Sequence, residues 1–183
     1  ASILPNDPST ARLSLRAQAD HAGISLGAAQ EANRHLRDRG MITRDRELRR
    51  HNELIDYWLV GYSSRLLPKL RARTVSGAEP VDAVDAIMRH TLDLTPAGEA
   101  VSETMSTQSS VTIYGTPPWK DLVQRLRLKP DPEGSITLRE RFWNPESVHV
   151  TDRGRRLLTC GEFLASPDER LRESAGAIRQ ELT

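Results

Sequence analysis

The sequence predicts an α+β protein with an N-terminal winged helix-turn-helix followed by a mixed α/β C-terminal domain with a small sheet. Two capped helical segments, a tight turn between them and a short polar hairpin occupy residues 12–50. An apolar stripe at helical spacing follows, and helical and strand-like segments then alternate to the C-terminus. We therefore predict a winged helix-turn-helix over residues 1–51, a bridging helix over 52–75 and an α+β domain over 76–183.

The helix-turn-helix is predicted from residue types that begin and end helices. Ser14 is expected to cap a short helix that ends near Gly23. Ser25 is expected to cap a longer helix that runs from Leu26 to about residue 39. Gly40 comes directly afterwards, where a left-handed residue closes the last helical turn.

A hairpin and a long helix are expected next. Residues 41–43 and residue 48 flank a polar turn at 44–46, which indicates a short two-stranded wing. Asn52 is predicted to cap the bridging helix, whose apolar residues recur at helical spacing as far as Pro68. This stripe is broad enough to pack against the units on both sides. The Ser-Gly-Ala-Glu-Pro stretch at 76–80 is the predicted boundary between modules.

The C-terminal domain is predicted to alternate helices and strands. Helices are expected over residues 81–90, from 95 onwards, and over 118–126, 155–165 and 167–182; strands are expected over 111–114, 136–142 and 148–150. The last helix has the clearest start, because Ser166 and Glu169 match a capping box with Pro167 at the first helical position. Trp119 and Trp143 are expected to anchor the core of this domain.

Charge is divided unevenly between the two halves of the chain. The net charge is +1, but residues 1–75 hold 13 Lys and Arg against 8 Asp and Glu, whereas residues 76–183 hold 13 against 17. Such an asymmetry suggests that the N-terminal half meets a polyanion. Chance unevenness of a solvated surface is the alternative. We expect DNA affinity to be confined to residues 1–75.

The predicted helix that follows Ser25 has the chemistry of a DNA-reading helix. Ala29, Ala32 and Leu36 share the face that must be buried, and Gln30 and Arg34 lie opposite it. Gln addresses the adenine edge in the major groove, and Arg the guanine edge. A capped helix start also suits a phosphate. The predicted DNA-binding residues, including two from the wing, are Ser25, Gly27, Gln30, Arg34, Arg37, Arg44 and Arg46.

The alternative for these residues is a solvated helix face that binds no DNA. Glu31 and Asp38 favour it, since carboxylates are unfavourable next to phosphate. The basic hairpin argues against it. Seven arginines stand against three acids between residues 34 and 50, which is more than solubility requires.

Signals for catalysis are poor, so we expect no enzyme activity, no metal and no cofactor. The five histidines show no metal-ligand spacing, and neither a glycine-rich phosphate loop nor a nucleophile elbow occurs. The chain has a single cysteine, Cys160, which excludes an internal disulfide and favours the cytoplasm. We expect the Cys160 side chain to fill the core. No apolar run approaches the roughly 20 residues of a membrane span, and we expect no membrane partner. Asp168, Arg170 and Glu173 are expected to form a surface charge cluster.

Several stretches of the chain resemble type IV toxin–antitoxin antitoxins of the AbiEi class, in the branch that carries a winged helix and a C-terminal domain. The matching stretches occur in the family's order and cover most of the chain: 21–27, 54–62, 67–70, Tyr114, 126–131, Phe142-Trp143, and Asp168, Arg170, Glu173 and Ala175. Members of this branch often carry an N-terminal nuclease-like domain. The present sequence lacks it, so any role of that domain is expected to be missing or to lie outside this fragment.

The resemblance implies a DNA-binding antitoxin that represses its own operon, with duplex DNA of that operator as its partner. It also implies a functional partner, a nucleotidyltransferase-like toxin that such antitoxins oppose without needing a stable complex. Residues 76–183 are then expected to form an antitoxin-type domain. Two other classes stay open from the residues alone: an accessory DNA-binding part of a larger DNA-processing enzyme, and a winged helix that binds protein.

Overall fold

Seven α-helices and a five-stranded sheet form the part of the chain that the computed structural model describes, residues 5–103 and 105–182. The predicted domains begin at residue 1 and end at residue 183, and residues 1–4 and 183 lie outside the described residues. The helices are α1 (Leu15–Ala22), α2 (Leu26–Asp38), α3 (His51–Gly61), α4 (Pro80–Arg89), α5 (Lys120–Leu126), α6 (Asp152–Ala165) and α7 (Glu169–Glu181). The strands are β1 (Ala72–Ser76), β2 (Thr95–Ala97), β3 (Val111–Gly115), β4 (Lys129–Pro130) and β5 (Ile136–Glu140).

The ends of α1 and α2 lie where their capping residues predict. The Ser14 hydroxyl accepts the backbone N–H of residue 17, and the Ser25 hydroxyl accepts that of residue 28, both at 3.2 Å. Gly23 and Gly40 adopt left-handed φ values of 62° and 67°. After Gly40, the Met41 N–H bonds back to the Leu36 carbonyl at 2.9 Å, which completes a Schellman ending. The predicted bounds of these two helices are confirmed to within a residue.

The predicted wing, residues 41–49, is a minimal hairpin. Ile42 and Leu48 form an isolated antiparallel bridge, and the Arg49 N–H closes the hairpin on the Met41 carbonyl at 2.7 Å. Arg50 then turns in the left-handed region and its carbonyl accepts the first helical bond of α3. The prediction that Asn52 caps this helix is therefore wrong: Asn52 is the second residue of α3.

The bridging helix is shorter than predicted. Regular helix ends at Gly61, a π-helical turn continues over Tyr62–Leu66, and a 3-10 turn spans Leu67–Lys69. Residues 72–76 are strand β1 of the sheet, which corrects the predicted helix over 52–75. The predicted boundary at 76–80 is the connection from β1 to α4. It lies within the unit formed by the five strands with α4 and α5, called the sheet unit below. Only Val75 of β1 is buried, so the strand carries no apolar alternation that sequence reasoning can detect.

The sheet has the strand order β2-β3-β5-β1-β4, in which β3 and β5 are parallel and all other neighbours are antiparallel. The predicted helix from Thr95 is wrong, because these residues pair with β3 as an edge strand, a position that tolerates Pro96. Residues 148–150 form no strand; Val148 and Val150 pack instead on the core around α6. Strand β4 was missed because it has only two residues.

Two closing helices cover the sheet unit on the side of α3. The α7 start differs from the prediction: Asp168 is the cap and accepts the Arg170 N–H at 2.9 Å, while the Ser166 hydroxyl accepts the Asp168 N–H. The predicted Ser166/Glu169 capping box is therefore wrong by two residues. The buried residues of α7 are Ala175 and Ile178.

Helix α3 belongs to two buried clusters at once. Leu54 packs with residues of α2 and the wing, including Leu36 and Met41. Ile55 and Trp58, on the neighbouring face, pack with residues of α6 and α7. The sheet forms a third cluster with α4 and α5. The prediction that the stripe of α3 is broad enough for both neighbours is confirmed, and α3 physically connects the N-terminal helices to the rest of the protein.

Candidate nucleic-acid interface

Helix α2 presents the predicted polar face to solvent. Its buried residues are Ala29, Asn33 and Leu36, while Ala32 is half-buried. All seven predicted DNA-binding residues are exposed: Ser25, Gly27, Gln30, Arg34, Arg37, Arg44 and Arg46. Nothing lies within 4 Å of a Cβ added at Gly27, so this end of the helix is open to a close-approaching partner. The buried and exposed faces therefore divide as predicted, with Asn33 as an unexpected member of the buried one.

A buried amide network fixes α2 against α1. The Asn33 amide donates to the Gln18 side-chain oxygen at 2.6 Å and to the Ala29 carbonyl at 3.0 Å. The Gln18 amide in turn donates to three backbone carbonyls of residues 10, 11 and 13, at 3.0–3.2 Å. Buried amides require such partners, so this network defines one orientation of α2. A polar residue inside an apolar stripe is the signal that sequence reasoning overlooked.

The two predicted wing arginines differ in their surroundings. Arg44 lies exposed in the turn of the hairpin. Arg46 adopts a φ of 61°, and its guanidinium donates to the Leu13 carbonyl at 3.1 Å, just before α1. The side chain of Arg46 thus connects the hairpin to the segment before α1. No hydrogen bond of this kind is described for Arg44.

The C-terminal end of α2 is held against α3 by an aromatic contact. The Tyr57 hydroxyl lies 2.6 Å from His35 Nε2, and the Arg39 guanidinium lies over the Tyr57 ring at 5.3 Å from its centroid. A cation over an aromatic face is attracted by the ring quadrupole. These contacts use residues flanking the exposed face, and they leave Arg34 and Arg37 on the solvent side.

Two arginines of the closing helices hold the start of α3. Arg179 donates to Asp56 at 2.5 Å and to the Asn52 carbonyl at 2.9 Å. Arg153 contacts His51 Nε2 and donates to the Leu182 carbonyl at 2.5 Å. Desolvation, followed by the positive charges of Arg153 and Arg179, lowers the pKa of His51. The contact between α3 and the closing helices, called the junction below, therefore favours a neutral His51 that accepts a hydrogen bond from Arg153.

A buried polar cluster lies deeper in the junction. Tyr62, on the π-helical turn, donates to Glu162 at 2.6 Å, and Tyr114 of β3 also donates to that carboxylate. Arg139 of β5 pairs with Glu162 at 3.1 Å. Burial, together with the Glu162 carboxylate, raises the pKa of both tyrosines well above the ordinary value. Two tyrosines and an arginine thus satisfy one carboxylate, which gives the cluster a structural role.

The predicted surface cluster at the start of α7 reaches further than expected. Arg170 pairs with Asp168 at 3.4 Å, as the spacing suggested, and also with Glu99 at 3.2 Å. Burial by itself raises the pKa of Glu99, but hydrogen bonds from Ser109 and Ser110 and the Arg170 charge outweigh it, so the pKa is lowered. Glu99 lies far from α7 in sequence, so spacing gave no signal for this pair.

Groups with chemical reactivity are sparse in the described residues. Cys160 is buried, and burial raises its pKa to about 11, so its thiol is core filling as predicted. Across residues 5–103 and 105–182, no three His, Cys, Asp or Glu side chains are grouped in a way that holds a metal ion. The same residues contain no helix that is long and apolar enough to cross a membrane.

Comparison with known families agrees with the resemblance seen in the sequence. A family model described as a transcriptional regulator, the AbiEi antitoxin of a type IV toxin–antitoxin system, matches residues 47–183, about three quarters of the chain. The chain belongs to this AbiEi antitoxin family. Neither the curated proteins nor the solved structures gave a match.

The family match and the predicted interface occupy different parts of the chain. The match begins at Glu47, inside the hairpin, and covers α3, the sheet and the closing helices. The predicted residues from Ser25 to Arg46 all precede it. Membership in the AbiEi family therefore rests on residues 47–183 and does not extend to α2.

Proposed function

We propose that the chain is a DNA-binding antitoxin whose residues 12–50 form a winged helix-turn-helix that binds the operator of its own operon. The exposed face of α2 carries this proposal. It presents Gln30 and Arg34 side by side, opposite the face that buries Ala29, Asn33 and Leu36, and next to a basic hairpin. Side chains of these two types read adenine and guanine edges in the major groove. AbiEi membership as a transcriptional regulator supports the same reading.

The proposed regulation is autorepression of a type IV toxin–antitoxin operon. Bound at its operator, the chain excludes transcription of itself and of a toxin that resembles a nucleotidyltransferase. Such binding takes place where the DNA is, so we propose a cytoplasmic protein. We also propose that the chain itself is not an enzyme and opposes its toxin indirectly. The inert setting of Cys160 and the satisfied Glu162 support this view.

Titration of the full chain against duplex DNA from upstream of its own gene tests the proposal. Affinity is measured from about 50 to 200 mM salt, because each phosphate contact contributes roughly −0.9 to the slope of log affinity against log salt. Arg34→Ala should cost about 1–3 kcal/mol on this DNA and much less on a random duplex. Arg125→Ala removes an exposed arginine from α5 and serves as the matched control.

Three outcomes would contradict the proposal in different ways. Equal losses on both duplexes make Arg34 a phosphate contact and not a reader of bases. An unchanged affinity removes this face of α2 from the interface. A loss with Arg125→Ala as large as with Arg34→Ala moves the DNA-binding surface to the sheet unit. Repression itself is measured with a reporter gene placed behind the same upstream DNA.

A further inference from the structure

An exposed leucine lies at the start of α2, beside the two side chains proposed to read DNA. Leu26 is 48% exposed, and Ile24 in the preceding turn is 41% exposed. Leu26 is not a member of any of the three apolar clusters formed by the described residues. Packing of the protein therefore gives no reason for a large apolar side chain at this position.

Leu26, Gln30 and Arg34 form a continuous row on α2. Residues four apart on a helix are neighbours, with about 5–6 Å between their Cβ atoms. All three are exposed, and the row begins next to the Ser25 cap. At a rise of about 1.5 Å per residue, the row extends for about 12 Å along the helix, which spans roughly three to four base pairs.

We propose that Leu26 is a specificity-determining residue that packs on the 5-methyl group of a thymine in the major groove. The proposal rests on the proposed DNA binding by α2. Among base edges in the major groove, thymine alone offers a methyl group, and apolar side chains contact it. Helix-turn-helix proteins place the N-terminal residues of the second helix against base edges, and Leu26 is the first residue of α2.

The charge around the row favours DNA over an apolar protein partner. Seven arginines against three acids lie between residues 34 and 50, so a second copy of this chain meets like charge here. A thymine in duplex DNA combines an apolar methyl with nearby phosphates. The surface with Leu26 at one end and Arg34 and the wing at the other matches that combination.

The test uses thymidine and deoxyuridine, which differ only by the methyl group. The full chain is first used to select its preferred site from a pool of randomised duplexes. Each thymine of that site is then replaced singly by deoxyuridine, and affinity is measured. We expect one replacement to weaken binding about threefold to fivefold, the effect of one buried methyl. That thymine should lie within about four base pairs of the position at which Arg34→Ala loses its preference.

Variants assign the effect to Leu26. Leu26→Ala should bind the thymine and deoxyuridine sites equally, since it lacks the group that contacts the methyl. Leu26→Met keeps an apolar side chain and should keep the preference. Alanine and methionine are both good helix formers, so α2 should stay folded, which circular dichroism checks. Val60→Ala, which shortens a 65% exposed apolar residue on α3, should leave the preference unchanged.

The results separate this inference from the proposed function. If no duplex is enriched and none binds, DNA binding by this chain is wrong. If the chain binds a selected site but no thymine replacement matters, or if Leu26→Ala keeps the full preference for thymine, then Leu26 does not read the methyl group, although DNA binding stands. A change of oligomeric state in Leu26→Ala, with an unaltered preference, assigns Leu26 to a contact between copies instead.

Discussion

The Asn33 side-chain amide donates a 2.6 Å hydrogen bond to the Gln18 side-chain oxygen, and this bond joins the buried faces of α2 and α1. Gln18 uses its remaining donors on the backbone just before α1. The orientation of the proposed recognition helix thus depends on a polar contact as well as on the small apolar face around Ala29.

Asn33→Ala should lower the free energy of unfolding by about 1–3 kcal/mol, because the Gln18 oxygen is left buried without a donor. Urea unfolding followed by circular dichroism measures this loss. Gln30→Ala changes an exposed residue on the opposite face of the same helix and should stay within about 0.5 kcal/mol of the unchanged protein. Equal midpoints for Asn33→Ala and the unchanged protein would show that the network contributes nothing to stability.

Arg44 and Arg46 should give opposite results when each is replaced by alanine. Arg46→Ala removes the bond to the Leu13 carbonyl and should lower the free energy of unfolding by about 0.5–1.5 kcal/mol. Arg44→Ala should leave stability unchanged and instead reduce the salt slope of DNA binding by about 0.9. Urea unfolding and salt titrations of both variants measure the contrast. A reduced slope with unchanged stability for Arg46→Ala would make Arg46 a phosphate contact.

Sequence reasoning succeeded where local signals determine structure. The Ser25 cap and the glycine at residue 40 each act within one or two turns, so α1 and α2 were predicted close to their observed bounds, whereas the apolar spacing predicted α3 but not its end at Gly61. The family was also identified correctly. These signals come from neighbouring residues, and they do not depend on what the segment packs against.

Elements that depend on distant partners were not predictable. Strand β1 has one buried residue and is held by pairing with β5, more than 60 residues away. Its presence shows that the charge division at residue 75 does not coincide with a structural boundary. The Arg170 pair with Glu99 also joins distant segments. On the candidate interface, sequence pattern separated the two faces of α2, but the bond that holds Arg46 on Leu13 required the structure.

Two glycines in the closing helices should respond in opposite directions to alanine. A Cβ at Gly161 of α6 would lie 2.6 Å from the Tyr62 ring, so Gly161→Ala should destabilise the protein by about 1–3 kcal/mol through overpacking. Gly176 of α7 has nothing within 4 Å, so Gly176→Ala should stabilise it by up to about 1 kcal/mol, because alanine is the better helix former. Thermal unfolding of both variants checks the signs. Equal effects would mean that the contact of Gly161 with Tyr62 is not tight.

His51 should make the protein less stable as the pH falls through the range just below neutrality. Its pKa in the folded protein is lowered from 6.5 by burial and by Arg153 and Arg179, whereas the unfolded chain keeps the ordinary value. Between these two values the unfolded state binds more protons, so stability rises with pH. The penalty is absent above about pH 7, begins as the pH drops through 6.5, and levels off below the folded pKa.

Urea unfolding at intervals between about pH 5.5 and 7.5 measures this dependence, in a range above the ordinary pKa values of carboxylates. His51→Gln keeps a side chain that accepts from Arg153 but does not titrate, so its stability should change less with pH than that of the unchanged protein. His90→Gln, which replaces an exposed histidine at the end of α4, is the matched control and should keep the original pH dependence. If His51→Gln retains the full slope, the protons bind elsewhere and His51 does not determine the pH dependence. A slope that disappears with His51→Gln alone would assign the pH response to the contact between α3 and the closing helices.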